Sequence, residues 1–286
     1  MGTNRETLYQ AKKRTVQALA RAGIERAESE TEWFLCSLKE ISRSHFLLIA
    51  SEVYLTEEEV ISLNQMVQRR ISGEPLQYII GYESFWGRDF LVGPGCLIPR
   101  PETELVVEEA LRHFVKGSFL DWGTGSGCIA ATILAERPLS RGVAIEVSPQ
   151  AIEWAWKNLR RYNLLHRCLL WHSREMSDIP VPSQSLDLII SNPPYIPTAA
   201  IGRLMKEVAG YEPYVALDGG EDGLLYYKEL LHVAPIWLKP GGMLVVELGD
   251  STQGEVLANY NALGLRLMNL AKDFQGIYRI AVWCRV

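Results

Sequence analysis

The feature that most constrains the fold of this sequence is a regular alternation of short apolar runs and helical patterns, which begins near residue 118. Such alternation is typical of a parallel sheet covered by helices on both faces. The predicted strands are residues 119–122, 143–147, 168–171, 186–191 and 243–248, and the predicted helices are residues 127–137, 148–162, 221–238 and 251–262. No helical pattern separates the later apolar runs 265–270 and 278–284. We therefore expect these two runs to pair as antiparallel strands at one edge of the sheet.

The first 72 residues have helical spacing of apolar side chains and no strand-like alternation. One helix start is marked by Thr56 followed by Glu59, which together form a capping box. Glycine and proline then punctuate residues 73–100, which predicts a hairpin-like linker. The sequence thus predicts a helical domain at 1–72, a linker at 73–100 and an α/β domain at 101–286.

Composition excludes several classes of protein. The net charge of -5 argues against the broad basic surface of a dedicated nucleic-acid binder. The five cysteines are odd in number and contain no C-x-x-C pair, so neither a zinc site nor a disulfide framework is predicted. The first residues have no apolar signal segment, and no apolar run approaches the ~18 residues of a membrane span. We expect a cytoplasmic protein without a membrane anchor.

A glycine-rich loop follows the first predicted strand of the α/β region. Its residues are Asp121, Trp122, Gly123, Thr124, Gly125, Ser126 and Gly127. Glycine allows the backbone to turn tightly and to approach a ligand without a Cβ clash. A dinucleotide-binding fingerprint would need its third glycine where Cys128 stands, and a P-loop would need a Gly-Lys-Ser/Thr sequence that is missing here. The loop therefore indicates another kind of cofactor site.

Glu146 ends the second predicted strand, where a carboxylate can accept hydrogen bonds from both hydroxyls of a ribose. Taken alone, Glu146 could also be a surface acid at the start of a helix, with no ligand. The glycine loop upstream favours the ribose-binding interpretation, because both features then lie at the carboxyl ends of neighbouring strands.

The segment Asn192, Pro193, Pro194 and Tyr195 directly follows the apolar run 186–191. The prolines stop the strand, because proline cannot donate to a sheet ladder. Asn192 is thereby held at the carboxyl end of a strand, where open α/β sheets bind ligands. An amide, rigid prolines and an aromatic ring predict a pocket for a planar group that carries an NH2. In isolation, the segment could also be a simple proline turn after a strand.

The glycine loop resembles the S-adenosylmethionine loop of class I methyltransferases, and the chain is similar to the HemK/PrmC family. That family methylates the glutamine of the Gly-Gly-Gln motif in class I peptide chain release factors. The similarity runs from about residue 72 to the end of the chain, and its segments are 73–78, 100–104, 121–127, 192–195, 211–213, 219–224, 241–242 and 247–249. It implies an α/β class I S-adenosylmethionine-dependent methyltransferase with a mostly parallel seven-stranded sheet, an antiparallel edge and a small N-terminal helical domain.

The resemblance also implies roles for individual residues. S-adenosyl-L-methionine would be bound by Asp121, Gly123, Thr124, Gly125, Ser126, Gly127, Glu146, Arg174 and Asn192. The catalytic residues would be Asn192, Pro193 and Tyr195, and the substrate would contact these together with Pro194, Arg100 and Glu102. The glutamine amide would donate one N–H to the Asn192 side-chain oxygen and the other to the Pro193 carbonyl. We expect no metal, a monomeric enzyme, and helices at 1–72 that recognise the protein substrate. The alternative for these helices is a structural cap with no role in recognition.

Two positions depart from the family pattern. Glu146 stands where the family commonly has Asp, which is a tolerable change because the carboxylate is kept. Ser173 and Arg174 stand where relatives often have Asp followed by a bulky residue near the adenine. Arg174 could still stack its planar guanidinium on the base.

The main alternative function is an N(6)-adenine nucleic-acid methyltransferase, because N-P-P-Y also occurs there and an exocyclic amine resembles an amide NH2. Such enzymes flip the base and usually add a basic recognition domain. The acidic balance of this chain argues against that function. A catalytically silent cofactor-binding module is a further alternative, but it is hard to reconcile with an intact N-P-P-Y segment. A small-molecule methyltransferase is another, and no motif supports it.

Overall fold

The computed structural model describes residues 6–173 and 178–286. The chain divides into two compact units. Unit 1 contains the N-terminal segment up to Gly81 together with Lys206–Tyr211, and unit 2 contains Tyr82–Met205 and Glu212–Val286. Within the described residues, no helix is both long enough and apolar enough to cross a membrane.

The secondary structure alternates as the sequence predicts. The helices are α1 (Leu8–Arg21), α2 (Ala27–Lys39), α3 (Arg43–Ile49), α4 (Glu57–Ile71), α5 (Leu76–Ile80), α6 (Pro101–His113), α7 (Cys128–Glu136), α8 (Pro149–Arg161), α9 (Lys206–Tyr211), α10 (Leu225–Trp237) and α11 (Ser251–Ala258). The strands are β1 (Tyr82–Phe85), β2 (Arg88–Leu91), β3 (Ser118–Trp122), β4 (Arg141–Glu146), β5 (Cys168–His172), β6 (Leu186–Ser191), β7 (Leu238–Glu247), β8 (Leu265–Lys272) and β9 (Tyr278–Arg285).

Unit 1 is helical, in agreement with the sequence pattern. The capping box of Thr56 and Glu59 forms at the start of α4, and a second box joins Thr7 to Gln10 at the start of α1. The core of the unit is built from buried apolar side chains of these helices, among them Leu8, Leu19, Phe34, Leu35, Phe46 and Leu63. The short helix α5 was not predicted, since only five residues separate Pro75 from its end at Gly81.

The segment α9 belongs to unit 1 although it lies far along the chain. Arg70 of α4 forms an ion pair with Glu207 at 2.8 Å. The Tyr211 hydroxyl donates to the Ser72 carbonyl at 3.3 Å. A helix of six residues is too short to show a hydrophobic period, and the residues that hold it lie far away in the sequence. We therefore did not predict it.

Unit 2 is built on one seven-stranded sheet with the order β5-β4-β3-β6-β7-β9-β8. The strands from β5 to β7 in this order are parallel. Strand β9 is antiparallel to both β7 and β8, so the expected antiparallel edge is confirmed. Strands β1 and β2 form a separate antiparallel hairpin within the segment where the glycine pattern indicated one.

Helices cover both faces of the sheet, and the side chains of its strands alternate between two cores. Phe119 and Leu188 belong to one buried cluster, which includes residues of α6 and α7. Leu120 and Ile189 belong to the other, which includes residues of α10. Burial on both faces explains the near-continuous apolar runs by which these strands were recognised.

The topology brings the polar strand ends together. Strands β4 and β5 lie on one side of β3, and β6 and β7 lie on the other. Trp122, at the end of β3, is in register with Ile145 of β4 and with Ser191 of β6. Ligands of open α/β sheets bind where the strand order reverses in this way. The glycine loop, Glu146 and Asn192 all leave the sheet at this edge.

Candidate active site

The glycine loop connects β3 to α7 and is shaped by its hydrogen bonds to β4. The backbone N–H groups of Gly123 and Thr124 both donate to the Ile145 carbonyl at 2.9 Å. Gly127 has φ +78, and a Cβ there would lie 3.1 Å from the Ala155 Cα. Glycine at this position therefore permits both the turn into α7 and the close approach of α8.

Asp121 lies beneath this loop and is fully buried. Its Oδ2 atom accepts hydrogen bonds from the Thr124 hydroxyl at 2.6 Å and from the Ala130 N–H at 3.0 Å. Burial raises the pKa of Asp121 to about 7, against these two hydrogen bonds. The carboxyl fastens the loop to the first turn of α7, and it is not part of the cleft wall.

Glu146 ends β4 and lines the cleft. Its Oε1 atom accepts from the Val147 and Ser148 N–H groups at 2.8 and 2.9 Å, and its Oε2 atom accepts from the Gly125 N–H at 2.9 Å. Burial nevertheless raises the pKa of Glu146. A carboxylate offers about four acceptor sites, so ~1 site remains for a ligand hydroxyl. Glu146 thus holds the glycine loop and keeps capacity to bind.

Asn192 follows β6 and lines the cleft. Its Nδ2 atom donates to the hydroxyl oxygen of Thr103 on α6 at 3.0 Å. Thr103 is buried. The Nδ2 bond leaves the Oδ1 atom of Asn192 available as an acceptor, because an amide carries its donors and its acceptor on different atoms.

The other members of the N-P-P-Y segment divide between the cleft and the interior. Pro194 lines the cleft, whereas Pro193 is buried. The Tyr195 ring packs directly on Gly249, where a Cβ would lie 2.5 Å from its Cδ2 atom. The Tyr195 carbonyl accepts from the side-chain amide of Gln253 at 2.8 Å. These contacts hold the segment rigidly after the strand.

A buried acid that we did not single out from the sequence lies beside Tyr195. Glu247 ends β7, and its Oε1 atom lies 3.4 Å from the Tyr195 hydroxyl. Burial raises the pKa of Glu247 to about 7, while the nearby Thr103 hydroxyl lowers it. Burial also raises the pKa of Tyr195, with Glu247 acting in the same direction. An acid at the end of an otherwise apolar strand is the signal that could have identified Glu247.

Arg100 lines the cleft from the residue before α6. Its guanidinium donates to the buried carboxylate of Glu212 at 2.5 Å. The second oxygen of Glu212 accepts from the Ile98 N–H at 3.2 Å. Glu102 is exposed and is not part of the cleft wall. Arg174 lies outside the described residues.

The cleft opens along the strand ends, and about 1130 Å³ of empty space, including open solvent at its mouth, lies between its walls. Its polar wall comprises Arg100, Thr103, the loop 123–126, Glu146, Ser148, Ser173, Asn192 and Glu229, and its apolar and aromatic wall includes Leu97, Pro99, Trp122, Ile145, Pro194, Val215 and Tyr226. The rings of Trp122 and Tyr226 pack with their centroids 5.3 Å apart. Such a wall suits a ligand that combines a flat ring system with several polar groups.

Comparison with known proteins identifies the family. The PrmC N-terminal domain model matches residues 10–81, and the methyltransferase small domain model matches residues 101–208. A release factor glutamine methyltransferase of Geobacter sulfurreducens is 43% identical over 92% of this chain and 91% of its own length. The enzyme of the same name from Caulobacter vibrioides is 37% identical over 96% of both chains.

This chain belongs to the release factor glutamine methyltransferase family.

The fold agrees with that assignment. A crystal structure of a methyltransferase from Pyrococcus furiosus superposes with a TM-score of 0.52 at 20% identity, covering 80% of this chain and 98% of that one. At this identity the likeness concerns the fold alone. The reaction is therefore inferred from the family match, and not from the structural neighbour.

Two side chains hold the loops of the cleft in place but belong to none of the sequence motifs described above. Asn158 of α8 is fully buried, and its Nδ2 atom donates to the Ser126 and Leu91 carbonyls, both at 2.9 Å. Gln253 of α11 accepts from the Gly249 N–H at 2.8 Å while it holds Tyr195. Asn158 lies 32 residues from Ser126, and Gln253 lies 58 residues from Tyr195, so sequence spacing could not reveal these contacts.

Among the described residues, no group of three or more His, Cys, Asp or Glu side chains is arranged to hold a metal ion. The cleft wall carries Glu146, Glu229 and Arg100 as its charged groups. Burial raises the pKa of Glu229 as well. The chemistry of the wall thus depends on hydrogen bonds and on shape.

Proposed function

We propose that this protein transfers a methyl group from S-adenosylmethionine to the side-chain amide nitrogen of the glutamine in the Gly-Gly-Gln motif of class I peptide chain release factors. The observation that carries the proposal is the state of Asn192. Its Nδ2 atom is committed to Thr103, so its Oδ1 atom is the one left to accept a substrate N–H. The names of relatives that match nearly the whole chain support the same substrate.

The residues of the cleft fit the proposed cofactor. S-adenosylmethionine supplies an electrophilic methyl group on a positively charged sulfur. Gly123 and Gly125 have positive φ and open space where a Cβ would stand, so their backbone can approach a ligand closely. The remaining acceptor site of Glu146 suits a ribose hydroxyl. We propose that Thr124, Ser126 and Gly127 of the same loop also contact the cofactor. Asp121 would contribute indirectly, because its carboxyl holds the loop in place.

A glutamine amide is a weak nucleophile, because its nitrogen lone pair is delocalised into the carbonyl. In our proposal the Asn192 Oδ1 atom and the Pro193 carbonyl each accept one N–H of the substrate amide. These two bonds orient the nitrogen at ~3–3.5 Å from the carbon that it attacks. They also stabilise the positive charge that develops on nitrogen. The sulfur would keep the electron pair of the broken S–CH3 bond and become neutral, and the methylated nitrogen would release one N–H proton to solvent. Pro194 and Tyr195 complete the walls around the amide, and Arg100 and Glu102 contact the protein substrate.

The N(6)-adenine alternative is not favoured. It rests on the N-P-P-Y segment alone. In contrast, three relatives that match this chain over most of their length are named release factor glutamine methyltransferases. The net charge of -5 is also unsuited to a nucleic-acid substrate.

We further propose that the helical unit grips the release factor, and that the enzyme acts as a monomer in the cytoplasm. The exposed apolar side chains of the unit support the first proposal, because exposed apolar patches commonly mark interaction sites. The cytoplasmic location is supported by the proposed substrate, since release factors take part in translation.

The decisive experiment measures the intact mass of a purified class I release factor after incubation with this protein and S-adenosylmethionine. We expect a gain of one methyl group, located on the Gly-Gly-Gln glutamine by peptide fragmentation. A release factor in which that glutamine is replaced should gain nothing. Methylation of DNA oligonucleotides in place of the release factor would support the adenine alternative.

A further inference from the structure

The backbone of Tyr195 is closely enclosed by three glycines from other parts of unit 2. A Cβ at Gly219 would lie 2.7 Å from the Tyr195 Cα atom, and a Cβ at Gly223 would lie 2.5 Å from the Tyr195 carbonyl oxygen. Gly249, after β7, leaves equally little space beside the Tyr195 ring. A larger residue at any of these positions would push the chain at Tyr195 aside. All three glycines belong to segments that carry the family resemblance, and none of them is part of the cleft wall.

The side chain of Gln253 on α11 joins these segments by hydrogen bonds. Its Nε2 atom donates to the Tyr195 carbonyl at 2.8 Å and to the Gly223 carbonyl at 3.2 Å. Its Oε1 atom accepts from the Gly249 N–H at 2.8 Å. A backbone N–H can only donate and a carbonyl can only accept, so the three bonds fix which end of the amide faces Tyr195. Gln253 is buried, so these bonds are shielded from water.

The N-P-P-Y segment is therefore anchored at both of its ends. At one end the Asn192 side chain donates to the Thr103 hydroxyl, and at the other the Tyr195 carbonyl accepts from Gln253. The two prolines between these ends have no backbone N–H to donate, and their rings fix their φ angles. The direction of the Pro193 carbonyl thus depends on the two anchors.

We propose that Gln253 is a positioning residue for methyl transfer, which holds the Tyr195 backbone so that the Pro193 carbonyl and the Asn192 Oδ1 atom face the substrate amide. The proposal rests on the proposed function, because these two acceptors would orient the glutamine nitrogen. Gln253 is not part of the cleft wall, so it acts through the N-P-P-Y segment and does not touch the substrate. Its effect can still be large, since a misplacement of ~1 Å can cost about 10²-fold in rate.

A second buried amide, Asn158 on α8, has the same pattern of hydrogen bonds at a different loop. Its Nδ2 atom donates to the Leu91 and Ser126 carbonyls, both at 2.9 Å, and its Oδ1 atom accepts from the Leu91 N–H at 2.7 Å. Ser126 belongs to the glycine loop that we assign to the cofactor. Asn158 therefore supports the cofactor side of the cleft, whereas Gln253 supports the side of the substrate amide. The two amides give a matched comparison.

The test compares the full-length wild-type enzyme with Gln253→Glu and with Asn158→Asp at pH 8. Each substitution keeps the shape of the side chain and replaces an NH2 donor by an oxygen, which then faces two carbonyl oxygens. Turnover of purified release factor gives kcat and KM at saturating S-adenosylmethionine. Calorimetry gives the dissociation constant of S-adenosylmethionine, and thermal unfolding gives the Tm of each protein.

We expect both variants to have a lower Tm, because each leaves buried carbonyls unpaired. Gln253→Glu should lower kcat by at least about tenfold, while its KM for release factor and its cofactor dissociation constant should change by less than about threefold. Asn158→Asp should raise the cofactor dissociation constant by about tenfold and keep kcat within about threefold of the wild type. A merely structural role would lower both Tm values without separating kcat from cofactor binding.

Gln253→Met covers the case in which Gln253→Glu fails to fold, since methionine is flexible and of similar length and removes the donors without adding a charge. It should show the same loss of kcat with an unchanged cofactor dissociation constant. A folded Gln253→Glu or Gln253→Met enzyme with wild-type kcat would overturn the proposal, and so would a loss that falls on cofactor binding as in Asn158→Asp. A wild-type enzyme that fails to methylate release factor would instead overturn the proposed function.

Discussion

At Asn192, one hydrogen bond distinguishes a turn residue from a group that can orient a substrate. The Thr103 hydroxyl accepts from Nδ2, and this contact assigns the two ends of an amide that would otherwise be free to turn. The sequence indicated that Asn192 is functional because of its place after a strand and before two prolines. It could not indicate the partner, since Thr103 lies 89 residues earlier in the chain.

We expect Asn192→Ala to abolish methyl transfer and to leave S-adenosylmethionine binding within about twofold of the wild type. The reason is that Asn192 is proposed mainly to hold the substrate amide, while the glycine loop and Glu146 are proposed to supply most of the hydrogen bonds to the cofactor. Isothermal calorimetry and the mass assay on the same sample measure both quantities. Activity within a few-fold of the wild type would contradict the proposed role of Asn192.

Asp121 allows a prediction about stability. Burial raises the pKa of this carboxyl to about 7, whereas an unfolded chain has it near ~3.9. Between these values the native chain holds a proton that the unfolded chain has released, so the free energy of unfolding falls as pH rises. The stabilisation is complete below pH ~4 and is lost above pH ~7. Glu247 acts in the same direction, because burial raises its pKa to about 7 too.

We expect Asp121→Asn to remove part of this pH dependence, because Asn keeps an acceptor for Thr124 and for the Ala130 N–H without ionising. Urea unfolding at pH 5 and pH 8 measures the change. Each pKa unit of difference is worth about 1.4 kcal/mol, so the wild type should lose a few kcal/mol between the two conditions and the variant distinctly less. Equal losses in both proteins would show that Asp121 titrates normally.

At the scale of secondary-structure elements, the sequence predicted the strands and helices whose apolar side chains are buried along the whole length of one face. Strand β6 has the predicted bounds, since Leu188, Ile189 and Ile190 are completely buried on both sides of the sheet. The start of β7 was predicted five residues late, because the predicted strand began at Met243 and the pairing begins at Leu238. Pro240, Gly241 and Gly242 interrupt the apolar run there, and they lie in an irregularity between the Leu238 pair and the Met243 pair, after which the regular pairing with β6 continues from Met243.

Short elements held by distant contacts were not predictable. The segment between Tyr195 and α10 contains two 3-10 turns, Thr198–Arg203 and Tyr214–Ala216, in addition to α9. The Ile196 N–H donates to the Leu217 carbonyl at 3.0 Å, and the Gly219 N–H donates to the Ile196 carbonyl at 2.8 Å. These backbone bonds depend on the tertiary fold, and no hydrophobic period reports them. The sequence predicted the site residues that directly follow a strand. It did not predict the residues that hold them in place through contacts distant in the chain.

The junction between the glycine loop and α7 gives a prediction for an element. Gly127→Ala should destabilise the protein by about 1–3 kcal/mol through backbone strain at positive φ, and by more because its Cβ meets Ala155. The control is Gly276→Ala, since Gly276 has φ +82 with nothing within 4 Å of a Cβ. Urea unfolding measures both variants. A Gly127 variant no less stable than the control would mean that α8 moves away without cost.

At the scale of the whole molecule, we propose that unit 1 binds the release factor and that unit 2 carries out methyl transfer. A truncation that begins at Gly73 is a poor test, because α9 would lose the α4 residue Arg70, which pairs with Glu207 at 2.8 Å. Surface substitutions leave the packing of both units intact. The neighbouring leucines of α3, Leu47 and Leu48, are 64% and 81% exposed and have no structural need to be apolar.

We expect the double variant Leu47→Ser and Leu48→Ser to raise KM for intact release factor by about tenfold, as for loss of an apolar anchor in a standard interface. Turnover of a short Gly-Gly-Gln peptide should be unchanged, because such a peptide reaches only the cleft of unit 2. The control is Leu263→Ser in unit 2, which is 82% exposed and equally apolar. If the double variant and the control have the same KM for intact release factor, these leucines of α3 play no part in binding. In that case the energy that orients the glutamine must come from contacts around the cleft, with Arg100 and its Glu212 support as the next residues to substitute.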